Sequence, residues 1–121
     1  MPVVAGLDGC RGGWMMVRLD TTNRQISVDF APTWQTLDFS GLALAAVDMP
    51  IGLADRGPRA CDLAARKALS PKRGSSVFPT PCRQTLSAKS YEDALSINRR
   101  ILGRGLTKQS WAIAPKIREV D

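Results

Sequence analysis

The 121-residue sequence contains no histidine. This absence excludes the Ser/His/Asp and Cys/His nucleophile arrangements and every zinc site that needs an imidazole ligand. Hydrolytic chemistry would therefore have to use carboxylates, hydroxyls, lysines or a metal-bound water. Three widely spaced cysteines make a poor disulfide framework. No apolar run approaches the roughly 20 residues that span a bilayer, and no secretory signal pattern is present, so we expect a cytoplasmic protein with no membrane partner.

Two apolar runs in the first half each end in an aspartate. Residues 3–8 end at Asp8 and residues 42–48 end at Asp48, and glycine or proline follows shortly after each. This pattern is typical of a strand that brings a carboxylate to the edge of a sheet, where the active sites of open α/β sheets lie. If the two strands are neighbours, the carboxylates form a natural Mg²⁺ or Mn²⁺ site. The alternative is that each aspartate caps a loop or a following helix.

Positive charge is concentrated in the second half of the chain. Residues 1–54 carry three arginines against five aspartates, a net charge of −2, whereas residues 55–121 carry fourteen lysines and arginines against six acids, a net charge of +8. This layout suits a polyanionic partner such as nucleic acid, because the cations would neutralise phosphate while the acids hold a metal. A charged surface that only confers solubility is the competing interpretation.

The first half predicts a sheet within a single α/β domain that covers residues 1–121. An antiparallel meander of three strands is predicted over residues 3–8, 14–19 and 26–30, with a glycine-rich hairpin turn between the first two. A helical turn or two is predicted within residues 33–39. A crossover then leads to a buried strand over residues 42–48.

The second half predicts helices. They cover residues 58–69, the segment from Ser90 to Gly103, and a segment from Thr107 that is interrupted at Pro115. Residues 70–89 predict a long loop between them. Asn98 falls in an apolar stripe of the second helix, so its amide either holds a loop backbone in place or points into the site, and we expect the structural role.

Several residues of the second half are candidate phosphate ligands. Arg59, Asp62 and Arg66 share one helix face, where the arginines could clamp phosphate; the alternative is an intrahelical ion pair, with Asp62 facing Arg66. A basic, hydroxyl-rich loop could position a phosphate backbone, or could be merely solvated. Its candidate residues are Lys72, Arg73, Ser75 and Ser76. Lys108 and Gln109 lie at a predicted helix start, a place suited to an anion.

Six ordered motifs closely resemble the bacterial and archaeal family called domain of unknown function 429. They comprise residues 6–14, 47–53, 59–62 with Arg66, 75–79, 103–109 and 116–121. The resemblance covers nearly the whole chain. That family is described as a predicted nuclease of the ribonuclease H-like fold, so the resemblance implies this fold, with a three-stranded antiparallel meander, a parallel strand and following helices.

The resemblance also implies site residues. In the ribonuclease H-like superfamily the first and fourth strands supply metal-binding acids, and these positions fall on Asp8 and Asp48. We expect Asp8 to bridge two cations and Asp48 to be a second ligand. Glu119 and Asp121 could complete the site or could be an exposed helix end, and Arg11 of the first motif could contact substrate. Family members usually continue past Asp121 into a further acidic motif that contains histidine, so the chain is expected to be a fragment, a truncated reading frame or a short relative.

These observations predict a divalent-metal-dependent nuclease or phosphodiesterase. One alternative is a nucleotide- or phosphate-binding ATPase-like module, because an Asp-Gly pair after a first strand also occurs in sugar kinases and actin-like proteins. Another is a non-catalytic nucleic-acid-binding domain in which the aspartates are only caps. Exposed apolar sheet edges would favour a homo-oligomer.

Overall fold

A computed structural model of the chain describes residues 2–121. It is a mixed α/β structure that divides into two compact units. The first unit extends to Met49 and includes Val120, and the second comprises residues 50–119 and Asp121. The strands belong to the first unit. The three α-helices belong to the second, apart from Val120 at the end of the last one, and a short 3₁₀ helix, Trp34–Thr36, lies in the first unit within the predicted range 33–39.

Four strands form one sheet in the first unit. They are β1 (Val3–Cys10), β2 (Gly13–Asp20), β3 (Ile26–Ala31) and β4 (Leu42–Val47). Their spatial order is β3-β2-β1-β4; β1 and β3 pair antiparallel with β2, and β4 pairs parallel with β1. The predicted meander and crossover are confirmed. A turn of Arg11 and Gly12 joins β1 to β2, and Gly12 has a φ of 83°, which glycine adopts without strain.

The two faces of the sheet differ in burial. One face carries the core of the unit, built from Ala5, Leu7 and Met16 with partly buried side chains packed on them. Trp14, which is fully buried, contacts Trp34 edge to face with ring centroids 5.0 Å apart. The opposite face exposes 39–67% of six large apolar side chains. They are Met15, Val17, Ile26, Val28, Phe30 and Leu44.

Strand β4 is exposed, so the prediction of a buried strand is wrong. It lies at the edge of the sheet with a strand neighbour on one side only, and Leu44 is 59% exposed. The apolar run at residues 42–47 is rich in alanine and has the composition of a core strand, but most of its side chains are exposed.

Three helices lie in the second half: α1 (Ala60–Leu69), α2 (Tyr91–Leu102) and α3 (Lys108–Val120). The predicted ends of α2 are confirmed, because the Ser90 hydroxyl accepts a hydrogen bond from the Asp93 amide and Gly103 adopts a left-handed φ of 71°. The predicted interruption of α3 is wrong. The helix continues through Pro115, with Ala114 and Ile117 buried on either side of it. Burial of this apolar face offsets the loss of one backbone hydrogen bond.

The long loop before α2 is more ordered than the sequence predicts. It contains two short 3₁₀ turns, Gly74–Ser76 and Arg83–Ser87. Asn98 of α2 is 1% exposed, and its side-chain oxygen accepts a hydrogen bond from the Cys82 amide at 3.1 Å. Its amide nitrogen donates to the carbonyls of Arg104 and Gly105 at 3.2 and 3.1 Å. The predicted role of Asn98 in holding loop backbone is confirmed. None of the helices within residues 2–121 has the length and apolar character needed to cross a bilayer.

Candidate functional site

Asp8 and Asp48 lie side by side where the parallel pairing of two neighbouring strands stops; Asp48 follows β4, whereas Asp8 lies within β1, which continues to Cys10. The parallel pairing of β1 with β4 reaches Leu7 and Val47, and the Asp48 amide donates a hydrogen bond to the Leu7 carbonyl at 3.0 Å. Each aspartate directly follows this last pair. Both line one cavity of about 540 Å³. The structure therefore brings together the two carboxylates that the strand-end pattern singles out.

The surroundings of these carboxylates are apolar. The remaining cavity wall comes from β1, β2 and β4 and includes Gly6, Met15, Val17 and Ala46. Both aspartates are exposed, and within residues 2–121 neither carboxylate has a hydrogen-bond or ion-pair partner. Two adjacent anions without a protein counter-charge repel each other unless a cation lies between them. The site is therefore suited to a hard divalent cation, which prefers oxygen ligands.

Two carboxylates, those of Asp8 and Asp48, would be available to such a cation. Over the part of the chain from Pro2 to Asp121, no group of three or more acidic, histidine or cysteine side chains is arranged to hold a metal. Mg²⁺ commonly binds through one or two carboxylates and completes its octahedron with water and substrate phosphate. The donor set fits an ion of this kind, and it does not fit a closed structural site.

Asp121 is engaged elsewhere. Its two carboxylate oxygens accept hydrogen bonds from Nε and Nη2 of Arg83, each at 2.9 Å. These bonds from Arg83 hold the pKa of Asp121 below its usual value. Glu119 lies in the last turn of α3, also in the second unit.

Arg59 and Asp62 form the ion pair that the sequence offers as the alternative to a phosphate clamp. Arg59 donates from Nε and Nη2 to the Asp62 carboxylate at 2.9 and 2.7 Å, so the partner of Asp62 is Arg59 and the predicted pairing with Arg66 is wrong. Arg59 also donates to the Ile51 carbonyl at 2.8 Å and to the Thr80 hydroxyl at 3.2 Å. The side chain thereby ties the start of α1 to two loops, and few of its donors stay available for phosphate.

The other candidate substrate ligands lie on exposed surface. Arg73, Ser75 and Ser76 are exposed at the first 3₁₀ turn, and Arg66 of α1 makes one long hydrogen bond of 3.4 Å to the Val77 carbonyl. In the first turn of α3, Gln109 is exposed and Lys108 lies 5.9 Å from the centre of the Tyr91 ring. Arg11 is exposed in the turn after β1, three residues beyond Asp8. All of them are open to solvent, as a phosphate ligand must be.

The contacts of Arg83 and Thr80 cannot be predicted from the sequence. Arg83 pairs with Asp121, 38 residues away, and approaches Asp55 at 3.5 Å. Thr80 is 3% exposed and accepts its hydrogen bond from Arg59, 21 residues away. No spacing rule links residues at such separations in an irregular segment, so only the tertiary structure could have identified them.

The sheet and the two strand-end aspartates define a mixed α/β protein with an open acidic site at a parallel pair of strands. The family model described as Protein of unknown function (DUF429) matches residues 6–121, and the chain belongs to this family. No curated protein matches the sequence, and no solved structure matches it.

Proposed function

We propose that this protein is a divalent-metal-dependent nuclease or phosphodiesterase of the ribonuclease H-like fold. The observation that carries the proposal is the position of Asp8 and Asp48 directly after the last parallel pair of β1 and β4, lining one cavity and free of protein partners. The strand order β3-β2-β1-β4, an antiparallel meander with one parallel strand, supports the fold.

In this proposal the two carboxylates hold Mg²⁺ or Mn²⁺ through their oxygens. Such an ion supplies a nucleophilic water at neutral pH and stabilises charge on the phosphodiester. Met15 and Val17 line the same cavity and place apolar surface beside the carboxylates. No histidine is needed, in agreement with a sequence that has none.

We propose nucleic acid as the substrate because of the charge of the second half. Residues 55–121 carry a net charge of +8, and a polynucleotide is long enough to contact more than one part of the chain. Exposed candidates for phosphate contacts lie at the first 3₁₀ turn and at the start of α3. They are Arg73, Ser75, Ser76, Lys108 and Gln109, with Arg66 and Arg11 on other exposed segments. We assign Arg59 and Asp62 a structural role instead.

The first test is calorimetric titration of Mn²⁺ into the full chain. We expect specific uptake that is lost in Asp8→Asn and in Asp48→Asn. Asp93→Asn is the matched control, because Asp93 is an exposed aspartate of α2 whose side chain has no partner within residues 2–121. Absence of uptake by the parent chain, or equal loss in all three variants, would overturn the metal site.

The second test is cleavage of end-labelled single- and double-stranded oligonucleotides with Mg²⁺ or Mn²⁺. We expect metal-dependent products that Asp8→Asn abolishes, because the cation loses one of its two protein ligands. Cleavage that persists in Asp8→Asn would contradict the assignment.

A non-catalytic nucleic-acid-binding domain is the second candidate. It is favoured by the charge of +8 on residues 55–121 together with the small number of carboxylates at the site. Salt-dependent binding of nucleic acid without metal uptake would select this function.

A further inference from the structure

The second unit contains its own cavity, separate from the one that Asp8 and Asp48 line. It has a volume of about 940 Å³ and is formed by the second 3₁₀ turn, the residues after it and the end of α3. Three cationic side chains line it: Arg83, Lys89 and Arg118. None of them is among the candidate residues for the proposed nuclease, so this cavity needs an explanation of its own.

The three cations differ in how their charge is compensated. Arg83 is paired with Asp121 at 2.9 Å and with Asp55 at 3.5 Å, and both of these acids line the cavity. Arg118 donates a hydrogen bond to the Leu86 carbonyl, which is uncharged. Lys89 is exposed and has no hydrogen-bond or ion-pair partner in the described part of the chain. Lys89 and Arg118 therefore have no carboxylate partner, whereas the cavity lining as a whole carries three cations against two carboxylates, a net charge of +1.

The charge and size of the cavity together restrict the ligand. A phosphomonoester carries a charge of about −1.5 to −2 at pH 7 and offers three acceptor oxygens, which matches two unpaired cations. A bare phosphate would fill only a small part of 940 Å³, a volume in the range of pockets that bind whole small molecules. Leu86 and Ala88 also line the cavity and give it an apolar wall of small exposed area. This wall suits an organic body attached to the phosphate.

We propose that this cavity binds a small phosphorylated molecule, with its phosphate between Lys89 and Arg118 and its organic part against Leu86 and Ala88. Ser87 and Gln84 at the same cavity supply polar groups for the remaining contacts. The Arg83–Asp121 ion pair fixes the end of α3, which carries Arg118, relative to the 3₁₀ turn. The proposal does not depend on a metal at Asp8 and Asp48.

The test is calorimetric titration of adenosine 5′-monophosphate into the full chain, in EDTA so that no divalent cation contributes. We expect saturable binding of one molecule per chain and an affinity at least about tenfold lower for Lys89→Gln. Arg100→Gln is the matched control, because Arg100 is an exposed cation of α2 that does not line the cavity and has no side-chain partner within residues 2–121, and its loss changes the net charge equally. Circular dichroism confirms that each variant is folded.

Two further ligands identify what is recognised. Inorganic phosphate is expected to compete with the nucleotide at higher concentration, and adenosine is expected to bind much more weakly because it lacks the dianion. Equal affinity for adenosine and its monophosphate would overturn the phosphate role of Lys89 and Arg118. Equal weakening by Lys89→Gln and Arg100→Gln, or no binding of nucleotide and phosphate to the parent chain, would overturn the site itself. Metal uptake by the same parent chain is measured separately, so failure here is distinguishable from failure of the proposed nuclease.

Discussion

At the scale of single residues, Gly13 illustrates how closely the first unit is packed. A Cβ atom at this position would lie 2.1 Å from the Ala31 carbonyl oxygen and 2.8 Å from the Pro32 Cα. Both atoms belong to backbone, which cannot rotate away as a side chain could. Gly13 is therefore required by the close approach of the start of β2 to the end of β3.

We expect Gly13→Ala to lower the free energy of unfolding by about 1–3 kcal/mol, the usual cost of overpacking. Urea denaturation followed by circular dichroism measures this change. Gly6→Ala is the control, since no heavy atom lies within 4 Å of a Cβ there and Gly6 lies in the same sheet. Equal stability of the two variants would show that the backbone at Ala31 and Pro32 moves aside for a Cβ at residue 13 without loss of stability.

The Arg59–Asp62 pair predicts a dependence of stability on pH. Hydrogen bonds from Arg59 hold the pKa of Asp62 below its usual value. The stabilisation is therefore fully present above about pH 4, the unfolded pKa of aspartate, and is lost as the pH falls through the lower folded pKa. We expect Asp62→Asn to lower the free energy of unfolding by about 1–3 kcal/mol at pH 7.

Urea unfolding of both proteins at pH 7 and below pH 4 tests this prediction. The stability difference between the parent chain and Asp62→Asn should shrink in acid. A difference that stays constant across this range would mean that the carboxylate charge contributes nothing. Asp93→Asn, which removes an exposed aspartate, should change stability by less than about 0.5 kcal/mol at either pH.

At the scale of elements, local signals account for most of what the sequence predicts correctly. Alternating apolar residues mark β3. Ser90 and Gly103 mark the ends of α2, the first through its side-chain hydrogen bond and the second through its left-handed backbone conformation. The errors arise where tertiary packing decides. Pro115 is tolerated because its helix buries a face, and β4 is exposed because of its edge position. Neither the burial of the helix face around Pro115 nor the edge position of β4 can be predicted from the few residues that flank it.

Asn98 joins α2 to two loop segments, and its substitution by aspartate tests this connection. We expect Asn98→Asp to lower the free energy of unfolding by at least about 2 kcal/mol at pH 7, because the variant loses two donors and places a charge against the carbonyls of Arg104 and Gly105. Burial should raise the pKa of the new carboxyl group. The deficit should therefore shrink as the pH falls through that raised pKa. A deficit that is independent of pH would indicate that the side chain has left its buried position.

At the scale of the whole molecule, the sequence predicts the candidate metal site better than it predicts the second cavity. Asp8 and Asp48 could be paired in advance, because each ends an apolar strand and a crossover places the two strands in parallel. The Arg83–Asp121 pair could not, since 38 residues of helix and irregular loop separate its members. Long-range ion pairs depend on how helices pack, and that packing cannot be predicted from the hydrophobic periodicity of the sequence.

The exposed apolar face of the sheet leads us to expect self-association. Val28 of the edge strand β3 is 59% exposed and lies on the same face as Val17, its register partner. We expect sedimentation velocity to show a concentration-dependent oligomer that Val28→Lys shifts towards monomer, because a charge in a buried apolar contact is costly. Ser96→Lys adds the same charge to an exposed position of α2 and serves as the control. A parent chain that stays monomeric at all concentrations would contradict this prediction.

Each of the two units contains tryptophan, so the unfolding of each unit can be followed by its own spectroscopic signal. Trp14 and Trp34 belong to the first unit, with ring planes inclined at 70° and centroids 5.0 Å apart, whereas Trp111 belongs to the second. Two indoles this close couple their electronic transitions and give a paired circular dichroism band that a lone indole lacks. Trp111→Phe would leave tryptophan fluorescence in the first unit only, and Trp34→Phe would remove the coupled band. One intact chain can thus report whether its sheet and its helices unfold at the same denaturant concentration.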